Sequence, residues 1–80
     1  MSRVFRYDIL EEVIIPNSPA FLRGEMVTVN LPASYNLRVD QLVNCVAHNG
    51  KKLEKYAAQV TSVMSVPGDD TVFEVSLKKP

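Results

Sequence analysis

TVFEVSLKK, residues 71 to 79, alternates cleanly: Phe73, Val75 and Leu77 fall on one side of an extended chain, and Val72, Glu74 and Ser76 on the other. A period of two is what a half-buried strand requires, because successive side chains leave opposite faces of a sheet. The preceding PGDD, residues 67 to 70, joins a residue with fixed φ to one free to take positive φ, and so predicts a tight turn. The strand is then the second arm of a hairpin, with its first arm in residues 56 to 66, YAAQVTSVMSV. Leu53, Tyr56, Ala57, Val60, Val63 and Met64 also match a helical face. The β-branched and serine residues of VTSVMSV are mediocre helix formers, which favours the strand.

The N-terminal third has the same character. In RVFRYDILEEVII, residues Phe5, Tyr7, Ile9, Val13 and Ile15 share one face, while Arg6, Asp8 and Glu12 lie on the other. Glu11 lands on the apolar face, which predicts a bulge or an edge position near residues 10 to 12. PNSPA, 16 to 20, reads as a loop because neither of its prolines can donate to a ladder. Val27, Val29 and Leu31 then alternate with Met26, Thr28 and Asn30, giving a strand that Pro32 ends. An antiparallel hairpin with the first strand follows as the expectation.

Between Asn36 and Asn49 the spacing of Val39, Leu42, Val43, Val46 and Ala47 fits the apolar face of a short helix, with Asn36 or Asp40 as its cap. A strand there would set Gln41 among Val39, Val43, Cys45 and Ala47. The predicted order is ββαββ: a single α+β domain over residues 1–80, with a small antiparallel sheet of about four strands and one helix packed on a face. A small five-stranded β-barrel is the rival. Asn49-Gly50 discriminates between them, since it serves either as a left-handed helix C-cap or as a two-residue hairpin turn.

Composition narrows the possible roles. A chain of 80 residues buries only about 60–65% of its unfolded surface, so its stability margin is thin. With 46% hydrophobic and 22% charged residues it is too apolar for intrinsic disorder. Nine basic and nine acidic residues cancel, so no net field draws the chain to nucleic acid or an anionic membrane. One cysteine cannot form an internal disulfide, and the charges in MSRVFRYDIL exclude a signal peptide, which points to a reducing, cytoplasmic setting. The longest uncharged stretch, 56 to 68, is too short and polar to span a bilayer.

Candidate chemistry is sparse. Cys45 and His48 would share a face at helical spacing, as a thiolate–imidazole dyad or two metal ligands require. A zinc site needs three or four protein ligands, and this pair would have to recruit Asp40 or Glu54. Val43, Val46 and Ala47 around Cys45 suggest a packed thiol instead. No serine sits in a nucleophile-elbow context, and Gly24, Gly50 and Gly68 form no phosphate loop. Glu11-Glu12 would point to opposite faces of a strand, and Asp69-Asp70 lie in a turn where aspartates bond their own backbone. The expectation is no enzyme, no metal and no cofactor.

Recognition of another protein is what remains. A short domain with antiparallel edges can act by strand addition or by presenting a loop. Two segments are candidates: the tip Ala20, Phe21 and Leu22, and LPASYN, 31 to 36, with Tyr35 as anchor. The bland reading of the first is that Phe21 and Leu22 fold back onto the core. The expected function is that of a small accessory or inhibitory protein, of bacterial or phage type judged by size, which occludes or bridges a larger protein partner. A homodimer through an edge strand and a structural assembly role are related possibilities. The alternative is a nucleic-acid binder using Lys51, Lys52, Lys55, Lys78 and Lys79, with Phe5 and Tyr7 as stacking aromatics.

Overall fold

The computed structural model describes residues 10–80, with side chains from Ile14 onward. The expected strand before Leu10, with Phe5 and Tyr7, lies outside the described residues. Five strands, β1 (Leu10–Ile14), β2 (Val27–Pro32), β3 (Leu42–Asn49), β4 (Lys52–Val66) and β5 (Asp69–Lys78), form one sheet in the order β1-β3-β4-β5-β2. A single short helix, α1 (Ser18–Leu22), follows β1, and a 3-10 turn at Ala33–Tyr35 follows β2. The strands β3, β4, β5 and β2 pair antiparallel with one another in that order, whereas β1 runs parallel to β3. Because β1 and β2 end the order without pairing to one another, the sheet is open and not a closed barrel.

The expected β4–β5 hairpin forms. Val66 pairs with Asp69 around Pro67 and Gly68, and Gly68 has φ +82, the positive value that a type II turn needs at its third residue. An extra residue at Thr61, between the pairs Val60↔Leu77 and Ser62↔Ser76, makes a bulge.

Five expectations are corrected. Residues 42–49 are a strand, not a helix. Val43, Cys45 and Ala47 are buried while His48 and Leu42 are exposed, a period of two. The helical spacing was an accident of a strand with apolar residues on both faces, and Val, Asn, Cys and His all favour helix poorly. Accordingly Asn49-Gly50 is no C-cap: Asn49 pairs with Lys52 and the central residues are Gly50 and Lys51. Of these only Gly50 has positive φ, at +66, the pattern of a type II′ hairpin turn.

PNSPA is likewise not simply a loop, since α1 starts at Ser18 with Pro19 in its first turn, where a missing N–H costs nothing. The helix stops in a Schellman arrangement, Glu25 N–H to Ala20 O at 2.9 Å and Gly24 N–H to Phe21 O at 3.0 Å, with Gly24 at φ +92. This helix is what prevents the expected β1–β2 hairpin. It diverts the chain after β1, which lies beside β3 at one end of the sheet, and β2 reaches the other end to pair with β5. The order is βαββββ, not ββαββ. Near the site expected for a bulge or edge, β1 is an edge strand whose register with β3 shifts between Leu10 and Ile14.

The core lies on one face. Val27 and Leu31 of β2, Val75 and Leu77 of β5, Ala58 and Val60 of β4, and Val43, Cys45 and Ala47 of β3 are buried beneath Ile15, Ala20, Phe21 and Leu37. Phe21 packs edge-on against Tyr56, ring centroids 6.2 Å apart, a favourable quadrupolar geometry. The opposite face carries Leu42, Leu53 and Met64 in exposed positions, and no described helix packs there.

Candidate functional site

The strand β2 and the turn after it form one corner of the molecule. Residues 26 to 37, MVTVNLPASYNL, carry no charge. Alternation turns Val27 and Leu31 into the core and leaves Thr28 and Asn30 exposed. On one side β2 is paired along its whole length with β5, from Val27↔Leu77 to Pro32↔Val72, without a bulge. On its other side, among the described residues, it has no backbone hydrogen-bond partner. At its end an open recess of about 640 Å³ is lined by Asn30, Leu31, Pro32, Ala33, Ser34, Thr71 and Val72. Four of these come from LPASYN. Asn36, at φ 55, ends the 3-10 turn, and Tyr35 is partly buried against the core.

Both devices needed to take up an extended segment are therefore adjacent. The edge offers backbone donors and acceptors at the spacing of a further strand, and the recess can receive an apolar side chain. The usual safeguards against such pairing, charge and a mid-strand proline or bulge, are missing from residues 27 to 31. Sequence reasoning singled out Tyr35 and its segment but missed Asn30, Thr71 and Val72. The uncharged run was the available signal; the pairing of Pro32 with Val72 that completes the recess had none.

The other predicted residues fall elsewhere. Ala20 and Phe21 are 2% and 0% exposed and Leu22 packs partly against the core, so the tip folds inward in the manner of its bland reading. The lysines do not form one patch: Lys51 and Lys52 stand at the β3–β4 turn, whereas Lys78 lies opposite Gln59 in the middle of β4, and the register also divides the faces. Lys55 and Lys78 belong to the open face with Ala57 and Gln59, and Lys52 to the covered one. Lys79 lies over the Tyr56 ring at 5.8 Å and donates to Leu22 O at 3.4 Å. Among the described residues no aromatic stands on the open face beside Lys55 and Lys78: Tyr56, Phe73, Phe21 and Tyr35 all pack against the core side.

Cys45 and His48 do not form a dyad. On a strand, residues three apart face opposite ways. Cys45 is buried, with its thiol 3.5 Å from Tyr56 O and burial pushing its pKa up to about 11; His48 is exposed. Among the described residues no group of three or more His, Cys, Asp or Glu is placed to hold a metal ion. Asp69 accepts the Thr71 N–H at 3.0 Å and the Thr71 hydroxyl at 2.6 Å, bonds that hold its carboxyl below the usual range. Its role is local to the turn. Glu54 accepts the Tyr56 hydroxyl at 2.8 Å and Asn49 Nδ2 at 3.3 Å, which likewise lowers its pKa, the Tyr56 bond acting most strongly. No helix among the described residues is long and apolar enough to cross a membrane. Comparison of the chain with protein-family models, curated proteins and solved structures finds no match.

Proposed function

We propose that this protein is a non-catalytic protein-binding module, a small accessory or inhibitory protein that occludes or bridges a larger protein by taking an extended segment of it onto the β2 edge. The observation that supports this reading is the unbulged, uncharged edge Val27–Leu31 beside the recess at Pro32 and Val72. Backbone pairing supplies affinity in this mode, and a pocket for one side chain supplies selectivity.

The test is affinity purification of the full chain from a cell lysate, with and without nuclease, at low and high salt, run beside the double variant T28K/N30K. Both positions are exposed and only the contact of Thr28 Oγ1 with Ser76 Oγ is given up, so the fold should persist, while a four-methylene stem and a charge at each site obstruct an incoming strand. A protein retained through nuclease and salt by the parent chain and lost by the variant supports the reading. Retention that is salt-labile and nuclease-sensitive rejects it in favour of nucleic acid.

A further inference from the structure

We infer that the β2 edge also accepts β2 of a second copy of this chain, antiparallel about a two-fold axis beside Val29, so that the free protein dimerises through its own binding edge. This rests on the reading of that edge as a strand-accepting surface.

Three observations select this occupant. First, the two sheet edges differ. The β1 sequence LEEVI includes two glutamates and its register with β3 slips, whereas β2 has no charge and an unbroken register. Second, β2 is self-complementary. A two-fold at Val29 sets Val27 opposite Leu31, Val29 opposite Val29, and Thr28 opposite Asn30. Apolar residues thus meet on the covered face, while hydroxyl meets amide on the open one. Cross-strand pairs of matched polarity are the unit of sheet stabilisation. The same register brings Met26 of the second copy, 59% exposed in the single chain, alongside Pro32 at the margin of the recess. Methionine is suited to that contact because its unbranched side chain adapts to irregular gaps. Third, the chain has zero formal net charge, so two copies approach without long-range repulsion.

The product is a continuous ten-stranded sheet, twice the five strands of one chain, with both helices on one side. Such an isologous contact closes on itself and stops at two copies. A joint of one six-residue strand from each copy is a small interface, which makes the dimer concentration-dependent. One edge cannot hold two strands, so self-pairing and capture of a foreign segment exclude each other.

Light scattering after size exclusion, over a dilution series of the full-length chain, tests this. The expected result is a mass moving from near twice 8.9 kDa toward 8.9 kDa on dilution, and a monomer at every concentration for T28K/N30K with an unchanged circular dichroism spectrum and a cooperative melting transition lowered only by loss of the contact between Thr28 Oγ1 and Ser76 Oγ at 3.2 Å. A parent chain that is monomeric throughout, including one whose own N-terminal segment occupies the edge, overturns the dimer. So does a dimer that the folded variant retains, since it must use another surface. Failure of the dimer is distinguishable from failure of the proposed function, because partner capture is read separately and a monomeric parent chain can still capture a segment.

Discussion

The Ser18 hydroxyl ties the start of α1 to β3: it accepts the backbone N–H of His48 at 3.0 Å and donates to Ile15 O at 2.9 Å. Ser18 is 4% exposed, so water cannot replace either bond. Ser18→Ala strands a part-buried N–H and a carbonyl, and should lower stability by about 1–3 kcal/mol. Urea denaturation with an unchanged slope checks this. A loss below a few tenths of a kcal/mol would show that the bridge is not what anchors the helix.

Phe21 fills the space between α1 and the sheet and has no exposed surface. Phe21→Ala should cost about 3–5 kcal/mol, a large share of the roughly 5–15 kcal/mol that a domain holds. The measurement is thermal unfolding. Because Phe21 faces the core, any loss of partner binding in this variant should vanish once the folded fraction is corrected for.

Burial moves the Cys45 thiol from an ordinary 9.0 to about 11. A folded-state pKa above the unfolded one means that stability is intact below about pH 9, where both states are protonated. It then falls as pH rises toward 11, because only the unfolded chain releases the proton. Denaturation midpoints between pH 8 and 11 should show that decline, and Cys45→Ala should remove this component from a lower baseline. Disulfide-exchange reagents should label the native thiol slowly and the denatured thiol fast.

Gly50 opens the β3–β4 turn at φ +66 with no heavy atom near an added Cβ. The cost of Gly50→Ala is therefore conformational and not steric, about 1–3 kcal/mol. Equilibrium denaturation measures it. A cost well above this range would mean that the turn makes contacts beyond its own backbone.

Glu54 is held below its usual pKa chiefly by the Tyr56 hydroxyl. Removing that hydroxyl in Tyr56→Phe should raise the Glu54 pKa toward 4.5, its ordinary value, as followed by carboxyl carbon NMR. An unmoved titration would show that the bond does not persist in solution.

Local sequence was enough to determine β2 and β5, because each alternates with a period of two beside residues that cannot continue a strand, Pro32 and Pro67-Gly68, whereas over 56 to 66 the β-branched residues of β4 only outweighed an equally good helical face and nothing marked its extension back to Lys52. It determined the second hairpin too, since contact between adjacent segments needs only the turn chemistry that lies between them. For β3 the local signal was ambiguous: Val39, Leu42, Val43 and Val46 satisfy helical spacing while Val43, Cys45 and Ala47 satisfy strand spacing. Tertiary structure decided it, by offering β3 a backbone partner on each side, β1 and β4. Burial of Phe21 and the parallel placement of β1 were decided at the same level, because no residue in PNSPAFL encodes which distant strand lies beneath it. The candidate site divides in the same way. An uncharged strand with Thr28 and Asn30 facing outward is a property of the local chain, whereas its standing at the edge, with Val72 closing the recess, depends on which strands paired across the whole sequence.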